Sequence, residues 1–99
     1  MTLNKLQEKF LRSLAHALKP IIWVGQHGLS DNVKDEIKNA LEYHELVKIK
    51  INVGDRDAKA ECIEQIQQLS KANLIQKIGN TATFYRRHPK KPKIELPRR

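Results

Sequence analysis

Gly25 and Gly28 stand three residues apart at a point where the chain is predicted to leave a strand and enter a helix. Four apolar residues, Ile21–Val24, come directly before them and predict a short buried strand. Ser30 follows as a suitable N-cap for the amphipathic segment that comes next. Because glycine has no Cβ, the backbone of this turn can lie flat against another backbone, and the free N–H groups of the helix point the same way. Such a loop suits a phosphate group, although a plain strand-to-helix turn that needs a positive φ has the same sequence.

The spacing of the two glycines excludes two well-known kinds of phosphate-binding loop. It is too short for the dinucleotide fingerprint, and no Gly-Lys-Ser/Thr follows to form a nucleoside triphosphate loop. The closest match is the Gly-x-x-Gly loop with which KH-type modules clamp a single-stranded nucleic-acid backbone. Gln26 and His27 complete the loop, and the imidazole of His27 could contact a phosphate, stack on a base or have no role. The spacing favours a nucleic-acid backbone, and we expect no cofactor.

The net charge of the chain agrees with a polyanionic partner. Its 99 residues contain 19 Lys and Arg against 11 Asp and Glu, which gives a net charge of +8. A hydrophobic content of 39% is typical of a folded domain and argues against a disordered basic peptide. The length allows one domain, so the charge must lie on the surface around a single small core.

The predicted first helix, from Thr2 to about Leu18, carries a stripe of basic side chains. Its leucines recur at helical spacing, and Thr2 is a suitable N-cap. The basic residues follow one another at intervals of four, three, four and three, which places them on one side of the helix, away from the leucines: Lys5, Lys9, Arg12, His16 and Lys19. A solvated helix face is the ordinary explanation. A binding surface is the alternative, because every charge has the same sign.

Four further lysines extend the positive charge beyond the first helix. Lys34 and Lys38 lie on the predicted exposed side of the second helix, close to the glycine loop. Lys48 and Lys50 alternate with apolar residues in the predicted strand from Leu46 to Val53, so they face away from the core. The two strand lysines could bind phosphate, or they could only keep a half-exposed strand soluble.

The C-terminal segment 86–99 is the most basic part of the chain. It has seven Lys or Arg and one acidic residue, and therefore a net charge of +6. Three prolines prevent it from forming a helix or a central strand, which predicts an extended basic arm, residues 87–99, after a domain of residues 1–86. Ile94 and Leu96 alternate and could attach part of the arm to the domain. A solubilising tail without a specific partner is the alternative.

The remaining patterns predict the fold. Further elements are a second helix over residues 31–44, a third helix capped by Asp55 or Asp57 and ending near Ser70, and strands at 73–78 and 81–86 joined by Gly79-Asn80. The order α-β-α-β-α-β-β, with two β-α-β crossovers and a terminal hairpin, predicts an α/β fold: a two-layer sandwich with a mixed four-stranded sheet.

Trp23 is expected to pack in the core. Stacking on a base is the alternative for Trp23 and for Tyr85.

Several kinds of chemistry have no support in the sequence. The four histidines lie on separate predicted elements, without Cys or carboxylates at metal-ligand spacing, so we expect no metal site. No serine stands in a nucleophile-elbow context and no carboxylate pair flanks a glycine turn, so we expect no enzyme. Cys62 is predicted to be a buried, inert thiol. The N-terminus does not have the pattern of a signal peptide, and no apolar run approaches eighteen residues, so we expect a cytoplasmic protein.

Four segments of the chain carry a resemblance to a known family. In chain order they are Leu11–Pro20, Val24–Ser30, His44–Lys50 and Ile78–Arg86. Together they resemble the CRM family (chloroplast RNA splicing and ribosome maturation), in particular its bacterial single-domain YhbY-like members. The segments span nearly the whole chain in the order that the family has, which makes this signal far more specific than the glycine loop alone.

The resemblance carries implications for fold and function. It implies a fold similar to the C-terminal domain of bacterial translation initiation factor three, with the last strand antiparallel to the others. It also implies RNA binding through the loop that matches Gly25–Gly28. For stand-alone bacterial members it implies association with the precursor of the large ribosomal subunit.

The sequence as a whole predicts a monomeric, non-enzymatic assembly factor that binds ribosomal RNA in the precursor of the large subunit, without a membrane or a metal. The residues expected to contact RNA are Lys5, Lys9, Arg12, Lys19, Gly25, Gln26, His27, Gly28, Lys34, Lys48, Lys50, Arg86 and Arg87. Two alternatives stay open. One is a peripheral membrane protein, because the first helix has an apolar face opposite a cationic one. The other is a protein-interaction module that docks on ribosomal partners.

Overall fold

A computed structural model describes residues 2–98 of the chain. Within these residues lie three helices and four strands: α1 (Lys5–Ala15), β1 (Ile22–Val24), α2 (Asp31–His44), β2 (Leu46–Ile51), α3 (Arg56–Ser70), β3 (Asn73–Ile78) and β4 (Thr81–Tyr85). The element order and the mixed four-stranded sheet confirm the predicted α/β fold class.

The sheet has the strand order β1-β2-β4-β3. β1 pairs in parallel with β2, whereas β4 lies between β2 and β3 and is antiparallel to both. The last strand therefore runs against the other three. We call one end of the sheet the loop end, because Gly25–Gly28 follows β1 there, and the opposite end the arm end, because the basic arm follows β4 there.

Side chains that alternate along the strands form two cores, one on each face of the sheet. The larger core lies under α2 and α3 and includes Ile37, Ile66 and Phe84. The smaller core lies on the opposite face under α1, where Leu11 packs against Tyr85. The sequence predicted two layers, and α1 adds part of a third. The physical reason is that Tyr85 and its neighbours point away from α2 and α3 and need a cover of their own.

α1 is shorter than the predicted helix at both ends. Its N-cap is Asn4 and not Thr2, which the sequence predicted. Asn4 Oδ1 accepts from the Gln7 N–H at 2.8 Å, and Gln7 Oε1 accepts from the Asn4 N–H at 3.1 Å, which forms a capping box. At the other end, the Lys48 ammonium donates to the carbonyl oxygens of Ala15 at 2.9 Å and Leu18 at 3.3 Å. The Ala15 carbonyl is one of those that the helix leaves free, and it also accepts from the Leu18 N–H at 3.0 Å, so the end of the helix before Leu18 is hydrogen-bonded.

α2 and α3 begin at predicted caps. Ser30 Oγ accepts from the Val33 N–H at 3.2 Å, and Asp55 Oδ1 accepts from the Ala58 N–H at 2.9 Å. Both helices start at the loop end of the sheet, and β2 stops at Ile51, two residues before its predicted end. The caps thus fix where the chain leaves the glycine loop to enter α2 and where it leaves the β2–α3 turn to enter α3.

Part of the basic arm is packed against the domain. Ile94 and Leu96, the residues expected to attach it, contact the core under α1. The Gln7 side-chain amide donates to the backbone carbonyl oxygen of Pro97 at 3.0 Å. Arg99, the last residue of the predicted arm, lies outside the described residues.

A buried carboxylate holds the same arm by its backbone. Glu45, between α2 and β2, is fully buried. Its Oε2 accepts from the His88 N–H at 2.7 Å, and its Oε1 accepts from the Lys93 and Ile94 N–H groups at 2.6 and 2.7 Å. Contacts with the domain therefore hold the arm over much of its length. The sequence indicated the attachment at Ile94 and Leu96 and not the hydrogen bonds to Glu45.

Candidate nucleic-acid interface

The Gly25–Gly28 loop forms a tight turn that is open to solvent. The Gly28 N–H donates to the Gly25 carbonyl oxygen at 2.9 Å, and Gly28 has a φ of +72°, a conformation that favours glycine. A Cβ placed on either glycine would meet no other part of the protein within 4 Å. Gln26 and His27 are exposed between them. A second backbone can therefore approach this loop closely.

The start of α2 lies beside the loop, but part of its hydrogen-bonding capacity is already used. Ser30 Oγ accepts from the Val33 N–H, which is one of the free donors of the first turn. Asp31, in the same turn, adds a negative charge at the positive end of the helix dipole. Asp31 would also repel a phosphate. The backbone of the loop is therefore a better anion contact than the helix terminus.

A tryptophan stands beside the loop on the face of the sheet that α1 leaves partly uncovered. Trp23 is 60% exposed, whereas its neighbours Ile22 and Val24 are buried in the core under α2 and α3. The expectation that Trp23 packs in the core is therefore wrong. Successive strand side chains point to opposite faces, and α1 covers only the arm end of the face on which Trp23 lies.

We call the uncovered part of this face the open sheet face. One row of paired residues crosses all four strands there: Trp23, Lys50, Thr81 and Ile78. Ile21 precedes this row in the chain, and Ile21 and Ile78 are 49% and 61% exposed. Within residues 2–98 the Lys50 ammonium has no hydrogen-bond or ion-pair partner. The open sheet face thus combines exposed apolar surface with a free cation next to the glycine loop.

Lys48 lies on the same strand and the same face as Lys50 but has a different environment. Both lysines are half-buried, but the Lys48 ammonium donates to the carbonyl oxygens of Ala15, the last residue of α1, and of Leu18, three residues beyond it. This contact competes with any phosphate for the Lys48 ammonium. The alternation of the strand could not indicate the difference, because it assigns both lysines to the same face.

The basic stripe of α1 lies on the same side of the sheet as the open sheet face, since α1 covers that side. Arg12 is half-buried and lies 3.9 Å from the Glu8 carboxylate, an ion pair that contributes little in water. The rest of the predicted stripe is exposed, but His16 is the C-cap of α1 and Lys19 lies beyond the helix, so only Lys5, Lys9 and Arg12 lie on it. These cations can add long-range attraction for a polyanion that approaches from this side.

Three of the predicted contact residues do not face the open sheet face. Lys34 is half-buried and lines a depression between α2 and α3 with Gln65 and Gln68. Arg86 and Arg87 follow β4 at the arm end, about 17 Å from the loop end, because each of the five residues of β4 advances the strand by about 3.4 Å. The structure therefore brings the loop, Trp23 and Lys50 together. Lys34, in the first turn of α2, is near the loop but lines a depression with α3, whereas Arg86 and Arg87 lie at the other end of the sheet.

The position of Trp23 is the feature of this surface that sequence reasoning assigned wrongly, although a signal existed. In Ile22-Trp23-Val24 the two β-branched residues occupy alternate positions, which leaves the tryptophan on the opposite face. Whether a helix covers that opposite face depends on contacts far apart in the sequence.

Other sites for chemistry have little support in the part of the chain that the structure describes. Within residues 2–98 no group of three or more His, Cys, Asp or Glu side chains is placed to hold a metal ion. Of the helices in the same residues, none has the length and apolar character needed to cross a membrane. Burial raises the pKa of the Cys62 thiol, which favours its protonated, unreactive form.

Comparison with known proteins identifies the family of the chain. A family model described as the CRS1/YhbY (CRM) domain matches residues 3–86. The chain belongs to the CRM family. Among CRM relatives, an "RNA-binding protein" from Haemophilus influenzae is 42% identical over 98 residues, which cover 99% of this chain and 98% of the relative. The "Probable RNA-binding protein YqeI" from Bacillus subtilis is 40% identical over 91 residues, which cover 92% of this chain and 95% of the relative.

A solved structure shares the fold of this CRM protein. The solution structure of a hypothetical protein from Staphylococcus aureus superposes with a TM-score of 0.81 and 34% sequence identity. The match covers 97% of this chain and 100% of the other. The family resemblance inferred from the four sequence segments is confirmed, and the fold extends over nearly the whole chain.

Proposed function

We propose that this CRM protein binds RNA, with the backbone of Gly25–Gly28 against the RNA backbone. The observation that carries the proposal is the uncovered loop, where a Cβ added to either glycine would meet no atom within 4 Å beyond its chain neighbours. The loop lies beside the Lys50 ammonium, which has no partner within residues 2–98. The relatives from H. influenzae and B. subtilis are named as RNA-binding proteins, which supports the same partner. Lysine and arginine supply salt-sensitive affinity, and the loop sets the register of the bound backbone.

The proposed contacts fall into two groups. Direct contacts come from the loop, the open sheet face and the α1 stripe: Gly25, Gln26, His27, Gly28, Lys50, Lys5, Lys9, Arg12 and Lys19. The other predicted residues contribute mainly long-range attraction. The Lys48 ammonium is bonded to backbone carbonyl oxygens, Lys34 lines a depression with α3, and Arg86 and Arg87 lie at the arm end.

The proposed target is ribosomal RNA in the precursor of the large ribosomal subunit, to which the protein binds as an assembly factor without a catalytic step. The YhbY-like sequence pattern supports this target. The membrane alternative has less support, because much of the apolar face of α1 packs on the sheet: Leu11 is buried against Leu46 and Tyr85, although Leu6 is 42% exposed. Crosslinking in cells followed by RNA sequencing should enrich precursor rRNA of the large subunit. Reads spread evenly over messenger RNAs would contradict the ribosomal target.

A matched pair of substitutions tests the loop. Asp and Asn have the same shape and both tolerate a positive φ better than most residues, so Gly28→Asp and Gly28→Asn should strain the turn to a similar extent. Only Asp places a negative charge against a phosphate. We expect the Asp variant to bind RNA about tenfold more weakly than the Asn variant, with both variants folded by circular dichroism. Equal affinity of the two variants would remove the loop from the site.

The salt dependence of binding tests the electrostatic part of the proposal. If about five phosphates are contacted, log K should fall with log salt concentration at a slope of about −3.5 to −4.5. Fluorescence anisotropy with labelled RNA measures this slope, and a flat response would contradict phosphate contact.

Nuclease treatment of a pull-down distinguishes RNA binding from the remaining alternative, a protein-interaction module. Protein partners of such a module would stay bound after the RNA is digested.

A further inference from the structure

The open sheet face carries exposed apolar side chains that contacts with an RNA backbone do not explain. Trp23 and Ile21 lie near each other at the β1 edge of this face and are 60% and 49% exposed. Ile78 lies at the opposite, β3 edge, in the same row as Trp23, and is 61% exposed. Exposed large apolar side chains that lie together on a small protein commonly mark a binding site. The glycine loop and the α1 cations account for backbone contacts and leave this apolar surface without a role.

We propose that the open sheet face is a platform for unpaired nucleotides, with one base stacked on the Trp23 indole and its flanking phosphate held by Lys50. The proposal rests on the proposed function and narrows it to RNA with a single-stranded segment. A base inside a duplex is already stacked on both sides, so only an unpaired base can lie on the indole. Stacking on an aromatic side chain is tolerant of sequence, because every base has a π-face.

The register of the sheet brings the required groups together. Trp23 on β1 is the direct partner of Lys50 on β2, and adjacent strands are about 4.8 Å apart. Lys50 is in turn the partner of Thr81 on β4. A flat apolar surface, a free cation and a hydroxyl therefore follow one another along one row, which matches the base, phosphate and sugar of a nucleotide.

The position of the glycine loop favours RNA as the occupant. Gly25 comes two residues after Trp23, so the loop adjoins the open sheet face. An RNA backbone held at the loop can therefore continue onto that face. The net charge of +8 is complementary to a nucleic acid.

The floor of the open sheet face argues against an acyl chain. A depression of about 170 Å³ beside the row is lined by Lys48, Gln76, Thr81 and Thr83 together with Pro20 and Ile78. Hydroxyl and amide groups can bond to base edges and ribose hydroxyls. An acyl chain of a lipid would leave the same groups without partners.

Intrinsic fluorescence provides a direct test, because Trp23 is the only tryptophan in the chain. Titration with a short oligouridine should quench Trp23 emission, whereas a fully paired RNA duplex of the same length should bind with little quenching. Equal quenching by the duplex, or stronger quenching by anionic phospholipid vesicles or by polyglutamate, would overturn the platform.

Substitution supplies an independent readout with labelled RNA. We expect Trp23→Ala to weaken binding of oligouridine about tenfold and to leave duplex binding nearly unchanged, while Trp23→Tyr retains most of the affinity. Ile21→Ala, on the same face, is the matched control for loss of exposed apolar surface and should change affinity less than threefold. Circular dichroism checks that each variant is folded.

The outcomes separate the platform from the proposed function. Unchanged oligouridine affinity in Trp23→Ala, together with weak binding by Gly28→Asp, would reject the platform and keep the loop. If the wild-type protein binds neither single-stranded nor duplex RNA, the proposed function fails and the platform fails with it.

Discussion

Glu45 is a single residue that organises the backbone of a distant segment. Its carboxylate is fully buried and accepts three N–H groups of the arm, all at 2.7 Å or less. Its own φ of +66° is unusual for a residue with a side chain. The three hydrogen bonds offset the cost of burying a charged group and make up for the strain of the backbone.

The first prediction concerns the removal of this carboxylate. Glu45→Ala leaves three N–H groups of the arm without their acceptor, and we expect the free energy of unfolding to fall by about 2–4 kcal/mol in urea denaturation. Amide hydrogen exchange should accelerate at His88, Lys93 and Ile94 in particular. Glu45→Gln keeps the shape but turns an NH₂ group towards N–H donors, so it should lose a large part of the same stability. Unchanged exchange at these three amides would contradict the role of Glu45.

The buried phenol of Tyr85 gives a prediction about pH. Its hydroxyl has no hydrogen-bond partner among the described residues. Burial raises the pKa of Tyr85, the negative charge of Glu45 raises it further, and Arg87 partly opposes both. The folded state therefore keeps the phenol protonated when the unfolded chain, whose tyrosine pKa is about 10, begins to ionise. Stability from this group is present below that pH and is lost as pH rises above it.

Tyr85→Phe tests both aspects of this residue. At neutral pH it removes an unpaired buried hydroxyl, so we expect stability to be unchanged or to rise by up to about 1 kcal/mol. Above about pH 10 the variant should lose less stability with rising pH than the wild type. Thermal unfolding followed over a pH series measures both effects. A large loss of stability at neutral pH would indicate that the hydroxyl has a partner.

At the scale of elements, β2 shows that two lysines on one face can have different roles. Lys48 donates to the carbonyl oxygen of Ala15 at the end of α1 and to that of Leu18 just after the helix, whereas Lys50 is free within residues 2–98 and is the partner of Trp23. One lysine connects a helix to the sheet, and the other is available to a ligand. The same strand thus joins the packing of α1 to the proposed interface.

The two lysines form a matched pair for substitution by methionine, which keeps the apolar stem and removes the charge. Lys48→Met should lower the free energy of unfolding by about 1–2 kcal/mol, because it removes charge-assisted bonds at a helix C-terminus. Lys50→Met should leave stability within about 0.5 kcal/mol, weaken RNA binding, and reduce the salt slope by about 0.7 to 0.9. Urea denaturation and anisotropy measure the two quantities. The reverse pattern would show that the assignment of roles is wrong.

At the scale of the whole molecule, the arm contributes to packing as well as to charge. Ile94 and Leu96 complete the core under α1, and the Lys93 ammonium lies 4.0 Å from the centre of the Tyr43 ring. The same ammonium donates to the Tyr43 carbonyl oxygen near the end of α2. The arm therefore covers apolar surface that the element order alone would leave exposed at the arm end of the sheet.

Deletion of residues 88–99 separates these contributions from the charge of the arm. We expect the truncated protein to lose about 3 kcal/mol of stability, because two half-buried aliphatic side chains and the donors to Glu45 are removed. The control is the double variant Lys90→Gln and Lys91→Gln, whose side chains are exposed. It should keep the stability of the wild type and reduce the salt slope of RNA binding by less than about 2. A truncated protein as stable as the wild type would mean that the packing of the arm is not significant.

The sequence by itself determined the elements and the turns between them. The second helix, its Ser30 cap, the third strand and the Gly79-Asn80 hairpin lie where the sequence predicts them. The glycine loop between strand and helix does so too, and Gly28 adopts the positive φ that such a turn requires. All of these depend on hydrophobic period, capping and turn chemistry within a few residues, so they can be recognised locally.

Only the tertiary structure decided which surfaces are covered and which charges are free. Lys48 reaches α1 across 33 residues, Glu45 holds an arm that lies 43 or more residues away, and Trp23 is exposed because α1 covers the other end of its face. None of these contacts has a local pattern, since each joins segments that meet only after the sheet has formed. The proposed RNA surface is defined by such contacts, because the side chains that remain unpaired after packing are the ones available to a ligand.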